Sequence, residues 1–255
     1  MCGKKRKYDC RVFFEELSES DYVIKENGMT TIITPTCARC NRLFGVGEVE
    51  EVEKRGNIAR IKINDLTSAL NIYTNKQHIS KNTAEERDFV AFSAILHARE
   101  GAGYFSVLAE EIEEVEENAR NNWVLTTAKR TMERIELLRN RSFDWQSSAI
   151  TEDNAKTGAF MKAQEHYAIC DDKLDELAKM AITAVNDVWQ NHSKTMRAMI
   201  LEIFKNTKCM AHDKVIKELM KKGFEEAWVE EVVDELIAGG RCYAPEAGML
   251  EVIEG

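Results

Sequence analysis

The sequence predicts an α+β protein in which a small closed β-barrel comes first, a helical connector second and a helix-and-hairpin unit last. Three observations predict it. Apolar and polar residues alternate strictly through residues 58–65 and 69–74, the period changes to helical after Val115, and residues 195–253 read as three helices followed by a hairpin. At 255 residues the chain exceeds the usual single-domain size. The three blocks divide it into an N-terminal domain with an extension (1–114), a helical connector and oligomerisation region (115–190) and a C-terminal domain (191–255).

The first domain opens with two short β-type stretches, 22–25 and 30–34, separated by the turn pair Asn27-Gly28 and ended by Pro35. Residues 43–53 (LFGVGEVEEVE) form a long strand holding Gly45 and Gly47, where a barrel strand coils sharply. After the turn Arg55-Gly56-Asn57, residues 58–65 put Ala59, Ile61 and Ile63 on one face and Arg60, Lys62 and Asn64 on the other. Residues 69–74 continue with Leu70 and Ile72 inward, Asn71 and Tyr73 outward. A short helix over 83–87 precedes strands 89–98 and 104–111, joined at Gly101-Ala102-Gly103. Three strands, a short helix and two more strands is the order of an OB-fold β-barrel.

A long helix over 116–139 follows, with Ala119, Trp123, Ala128, Met132, Ile135 and Leu138 along one stripe. Residues 140–156 are polar and small, a linker, and 159–190 return to helix. The last block reads as a helix over 195–206, an extended link at 209–211 and a helix over 212–222 closed by Gly223. A third helix over 225–238 is closed by Gly239-Gly240, and a hairpin surrounds Glu246-Ala247-Gly248. That set is a winged helix-turn-helix.

Composition narrows the function. Hydrophobic residues at 44% and charged residues at 31% suit a soluble globular protein with real cores. No apolar run is long enough to span a membrane, and the basic start (Lys4 to Lys7) runs into Glu15 and Glu16 without a signal-peptide core. Seven irregularly scattered cysteines read as reduced thiols in a cytoplasm. Cys37 and Cys40 have zinc-knuckle spacing, yet Cys2 and Cys10 complete a four-thiolate site only off-pattern, so unrelated thiols are the better reading and no metal is assigned. No nucleotide-binding, metalloprotease or hydrolase motif is present and the five histidines are dispersed. The chain therefore reads as a non-enzyme without a cofactor.

A net charge of −9 argues against a strong, sequence-blind DNA binder, so any nucleic-acid surface is local. Arg60, Lys62 and Tyr73 share the outward face of the second and third barrel strands, with Arg42 entering the first. Cations that track phosphates and an aromatic that stacks on bases make this the candidate single-strand site, expected to bind weakly and with strong salt dependence. Residues 29–106 carry ten cations against nine acids, so affinity is modest at best. Trp123, Met132, Ile135 and Leu138 form the candidate partner-binding face, the alternative being that the stripe folds back on residues 159–190 of the same chain. The helix 225–238 holds six acids and no Lys or Arg, which opposes docking in a major groove and points to a protein partner for this domain.

The stretches "RVFFEEL…YVIKE…IITPTCARCNRLFGVGEVEEVE", "ARIKINDLTSALNIYT" and "FSVLAEEIEEVEENARNNWVLTTAKRTMERIE" resemble the archaeal replication protein A-associated OB-fold family over about residues 8 to 140. The end, "LIAGGRCYAPEAGMLEVI", is similar to the winged helix of archaeal replication proteins, including the middle subunit of replication protein A. The resemblance implies a single-stranded-DNA-binding accessory subunit that partners replication protein A-type subunits in replication or repair. After Tyr73 the family reads small-Gly-Gln-Tyr where this chain has Thr74-Asn75-Lys76-Gln77, so one stacking aromatic is missing. Two rivals are an assembly factor that never touches DNA and a winged-helix transcription regulator.

Overall fold

The computed structural model describes residues 9–26, 29–75, 86–98, 104–140, 154–205 and 207–253. The chain divides into two compact units, Met1–Val185 and Asn186–Gly255.

The first unit is built on a closed five-stranded barrel. Its strands are β4 (Arg42–Arg55), β5 (Ile58–Asn64), β6 (Ala69–Asn75), β7 (Phe89–Ala98) and β8 (Phe105–Val115). They close in the order β4-β5-β6-β8-β7, with β6 and β8 parallel and every other pair antiparallel. Numbered within the barrel this is first, second, third, fifth, fourth and back to first, the strand order of an OB-fold, so the sequence pattern found the right barrel. The strand β4 serves two neighbours, β7 through Arg42–Glu48 and β5 through Glu48–Arg55, and must coil between them. Two glycines permit it. A Cβ on Gly45 would stand 2.5 Å from the Phe92 ring, and one on Gly47 would stand 2.4 Å from the Asn64 carbonyl oxygen, distances no side chain tolerates. The alternation in β5 and β6 sends Ala59, Ile61, Ile63, Leu70 and Ile72 inward against Val90, Phe92 and Val107. Each of these side chains larger than alanine, fully removed from water, contributes about 1.5–3 kcal/mol.

An N-terminal extension packs on the barrel. The helix α1 (Phe14–Ser18) was not predicted, because a five-residue helix has too little period to announce itself. It is held by Asp65, whose carboxylate accepts from the Phe14 N–H at 2.8 Å and also from the Thr67 N–H, the Thr67 hydroxyl and the Ser68 N–H. Burial lifts the Asp65 carboxyl to about 6, against the pull of those four hydrogen bonds. A hairpin of β1 (Tyr22–Glu26) and β2 (Met29–Ile33) follows, extended by the short β3 (Arg39–Cys40). Cys10 and Cys40 form a disulfide with Cα atoms 5.3 Å apart, which corrects the expectation of reduced thiols for this pair. The backbone bridge of Cys10 to Leu43 ties residue 10 to the start of β4, close in sequence to Cys40. Cys2 and the basic residues Lys4 to Lys7 lie outside the described residues.

The helix α2 (Glu117–Arg139) lies where the period predicts it, but its stripe is covered by its own chain. Trp123, 2% exposed, packs against Phe13 and Phe14 at 5.8 Å each and donates its indole N–H to the Phe44 carbonyl at 3.3 Å. Ile135 and Leu138 are buried with Leu174, Leu177 and Ala178. Of the four residues offered as a partner face, three are therefore core, and Met132, 36% exposed, stays at the surface. The physical reason is the extension and the following helices, which supply the apolar surface that the barrel alone lacks. Arg134 also points inward. Its guanidinium reaches the fully buried Glu16 at 3.4 Å, and Glu16 accepts further hydrogen bonds from the Thr34 and Thr36 hydroxyls at 2.5 Å each.

The segment predicted as one helix over 159–190 is instead two. The helix α3 (Asn154–His166) ends and α4 (Asp171–Lys205) begins after a sharp turn at Ala168, whose φ is 48°. The Ile169 N–H bonds back to the Gln164 carbonyl and the Ala168 N–H to the Glu165 carbonyl, the paired bonds of a left-handed helix stop. The separate helix predicted from 195 is the continuation of α4. The predicted helix over 83–87 is described only at Glu86 and Arg87, which form a turn with Arg87 at φ 79°; the turn at 101–103 and most of the linker 140–156 fall outside the described residues.

The second unit has its own core. The end of α4, then α5 (His212–Met220) and α6 (Glu226–Ala238) enclose Met196, Ile200, Val215, Leu219, Val229 and Val233. A three-stranded sheet of β9 (Cys209–Ala211), β10 (Cys242–Tyr243) and β11 (Met249–Val252) closes it, in the order β10-β11-β9. Among the described residues, no helix is long and apolar enough to cross a membrane.

Candidate nucleic-acid interface

Strand register determines which outward side chains meet on the barrel. Glu53 pairs with Arg60, Arg60 with Tyr73, Tyr73 with Leu108, Leu108 with Ile95, and Ile95 with Arg42. These six form one belt around the outside. Sequence alternation places Arg60 and Tyr73 on this surface, and the register brings all four predicted site residues onto it or beside it, since Lys62 sits one pair along opposite Asn71.

The belt borders a groove of about 820 Å³ over β5, β6, β7 and β8. Tyr73, His97, Tyr104 and Phe105 supply its rings, and Ile58 and Leu108 its aliphatic floor. Tyr104 is 71% exposed. A second hollow of about 350 Å³ adjoins it, sharing Ile58 and Tyr73 and adding Glu53, Arg55 and Arg60. The volume falls in the range of ligand-binding clefts, and exposed rings on a barrel face are surfaces on which bases stack. Sequence reading found Tyr73 and missed His97, Tyr104 and Phe105. His97 lies near the end of β7, Phe105 opens β8 and Tyr104 directly precedes it; strand pairing, in which His97 faces Ser106 and Ala98 faces Phe105, gathers them at the groove that Tyr73 also lines.

The cations behave differently from the sequence expectation. Arg42 donates to Asp9 at 3.0 Å, to Ser93 at 3.1 Å and to Glu110. Its proton affinity is raised, chiefly by the hydrogen bond to Glu110. Arg60 bridges Glu51 at 3.1 Å and Glu53 at 3.0 Å, and Lys62 meets Glu50 at 2.8 Å. Hydrogen bonds from Lys62 and then Asn64 hold the Glu50 carboxyl below the usual range. Two guanidinium groups thus face four carboxylates, so each of these arginine sites carries a net negative charge. The groove is aromatic first and cationic second.

No group of three or more metal-binding side chains occurs among the described residues. Burial, and next the neighbouring Glu16, push the Cys37 thiol up to about 12, far from a ready thiolate.

The sequence matches no protein-family model and no curated protein. Among solved structures, the S. pombe Stn1-Ten1 complex aligns at a TM-score of 0.42 and 10% identity, covering 51% of this chain and 95% of that one. A replication protein A heterotrimer bound to single-stranded DNA aligns at 0.39 and 10%, covering 48% and 94%. The N-terminal domain of PriB from Thermoanaerobacter tencongensis aligns at 0.24 and 18%, covering 30% and 98%. Likenesses at these scores bear on neither ligand nor partner.

Proposed function

We propose that this chain is a non-enzymatic accessory subunit that binds single-stranded DNA along the outer face of its OB-fold barrel, in company with replication protein A-type subunits in DNA replication or repair. The observation that carries the reading is the aromatic groove of about 820 Å³ that Tyr73, His97, Tyr104 and Phe105 line. Base stacking needs exposed rings and tolerates any sequence, and it is unavailable to a paired duplex. The association with archaeal replication protein A rests on the sequence resemblance. The ion pairs reshape the expected energetics. Cations already engaged with carboxylates release few counterions, so binding is weak and depends on salt less steeply than the sequence alone predicts.

The second unit reads as a winged helix, with α6 as its third helix and β10–β11 as its wing. Along α6, Glu226, Glu230, Glu231, Asp234 and Glu235 appear without a single Lys or Arg. Laid in a major groove, those carboxylates would face phosphates, so this unit suits a protein partner better than duplex DNA.

Fluorescence anisotropy with a labelled oligonucleotide of about 20 nucleotides, single-stranded and duplex, tests the reading. Preference for the single strand supports it; equal or tighter duplex binding refutes it. Binding to neither strand form favours the rival, a protein-only assembly factor, for which the carboxylate-bound arginines already speak.

A further inference from the structure

Among the cations of the belt, Arg42 has partners of two kinds. Asp9 holds the Nε edge at 3.0 Å, and it is anchored. Its neighbour Cys10 is tied to Cys40 by the disulfide, donates its N–H to the Arg42 carbonyl at 2.8 Å and accepts from the Phe44 N–H at 2.9 Å. Glu110, reaching over from β8, accepts from Nη2, which also donates to Ser93 at 3.1 Å; its side chain is 37% exposed and it lines the aromatic groove. From Tyr73 to Arg42 the belt crosses three strand spacings, about 14 Å at roughly 4.8 Å each, a span that consecutive nucleotides can follow. A strand stacked on Tyr73 therefore runs toward a guanidinium whose exposed edge is occupied by a carboxylate. Phosphate oxygens accept from a guanidinium fork in the same way that a carboxylate does.

We propose that Glu110 is a built-in competitor for the strand's phosphate on Arg42, occupying the cation in the free protein and yielding it when a phosphate arrives. This deepens the single-strand reading and rests on it. Asp9 stays in place throughout and keeps the guanidinium oriented. The exchange is nearly neutral in charge: one anion replaces another on Arg42, and Glu110 gathers a counterion as the phosphate loses one. Glu110 acts through Arg42, as a positioning residue that sets affinity and salt response.

The test is oligonucleotide anisotropy from about 20 to about 200 mM salt on the full chain, comparing wild type, Glu110→Gln, Arg42→Gln and the double variant. Glu110→Gln is expected to bind about five- to tenfold tighter at low salt, because no carboxylate from β8 competes with the phosphate for Nη2. Its log–log salt slope should steepen by about 0.7, the increment for one newly neutralised phosphate on a single strand. The double variant should lose both gains. A purely structural role for Glu110 would lower the melting temperature and leave the slope alone; Glu110→Ala, read in the same way, covers the case in which the Gln variant folds poorly. Wild-type binding with an unchanged Glu110→Gln overturns the competitor and leaves the single-strand reading standing. A gain that survives loss of Arg42 also overturns it. No binding by either protein removes both together.

Discussion

Replacing Arg134 with Met takes the cation away from a carboxylate that has no access to water. Glu16 is fully buried, and Arg134 donates to Thr36 Oγ1 at 2.6 Å and to Thr131 Oγ1 at 3.0 Å besides its 3.4 Å approach to Glu16. Removing one partner of a buried pair costs about 3–5 kcal/mol, since the other charge stays desolvated and unpaired. Glu16 keeps the Thr34 hydroxyl, the Thr36 hydroxyl and the Thr36 N–H, which places the expected loss near the lower end, about 3 kcal/mol. Glu16→Gln should cost less, about 1–2 kcal/mol, because the partly exposed guanidinium can turn to water. The double variant should fall short of the sum by at least about 1 kcal/mol, the signature of groups in direct contact. Urea unfolding followed by circular dichroism, with unchanged slope as the control, gives the three values. A loss below about 1 kcal/mol for Arg134→Met, or additivity within about 0.5 kcal/mol, would refute the role of this pair in tying α2 to the N-terminal extension.

Three further outcomes are expected. The Asp65 carboxyl is raised in the folded protein from 3.8 to about 6, so its contribution is complete below about pH 4 and is lost as pH climbs through 6; the stability difference between wild type and Asp65→Asn should shrink by about 3 kcal/mol over that window, and a flat or growing difference in pH-dependent urea unfolding contradicts it. Trp123→Ala should cost about 3–5 kcal/mol of unfolding free energy, because the ring fills the space between Phe13 and Phe14 inside this chain; a nearly unchanged melting temperature would return Trp123 to a surface role. Ala168→Gly should stabilise by about 0.5–1 kcal/mol, since Ala at φ 48° occupies a conformation that glycine adopts without cost, and a destabilised variant in a thermal melt argues against that stop.

The barrel was legible because its inner strands obey a period of two. Ile61, Ile63, Leu70 and Ile72 could only be buried together, and their order along the chain left one barrel topology to fit. The C-terminal unit was legible for a similar reason, since Gly223, Gly240 and Gly248, all at positive φ, punctuate its helices and hairpin. Where punctuation was missing the reading slipped. The stop at Ala168 uses no glycine, and the polar run at 190–194 looked like a break although Ser193 is buried and bonds back to the Gln190 carbonyl, keeping α4 intact. The site was half legible. Alternation gives the face that a side chain occupies but not its cross-strand neighbour, so Arg60 and Arg42 could be placed on the surface while their carboxylate partners could not. Those partners depend on a bulge between Val49 and Glu51 and on the N-terminal segment at Asp9, neither of which leaves a local signal.

On the proposed function, a single strand lies along the ring-lined groove, with Tyr73 and Tyr104 on it. The most direct measurement is anisotropy of a labelled oligonucleotide of about 20 nucleotides with the Tyr73→Ala, Tyr104→Ala double variant, after confirming that its melting temperature matches wild type. Loss of two stacking rings at about 1–3 kcal/mol each should weaken binding by at least about tenfold, with the salt slope unchanged because no phosphate contact has been removed. Wild-type affinity in the double variant would move any nucleic-acid contact off this face.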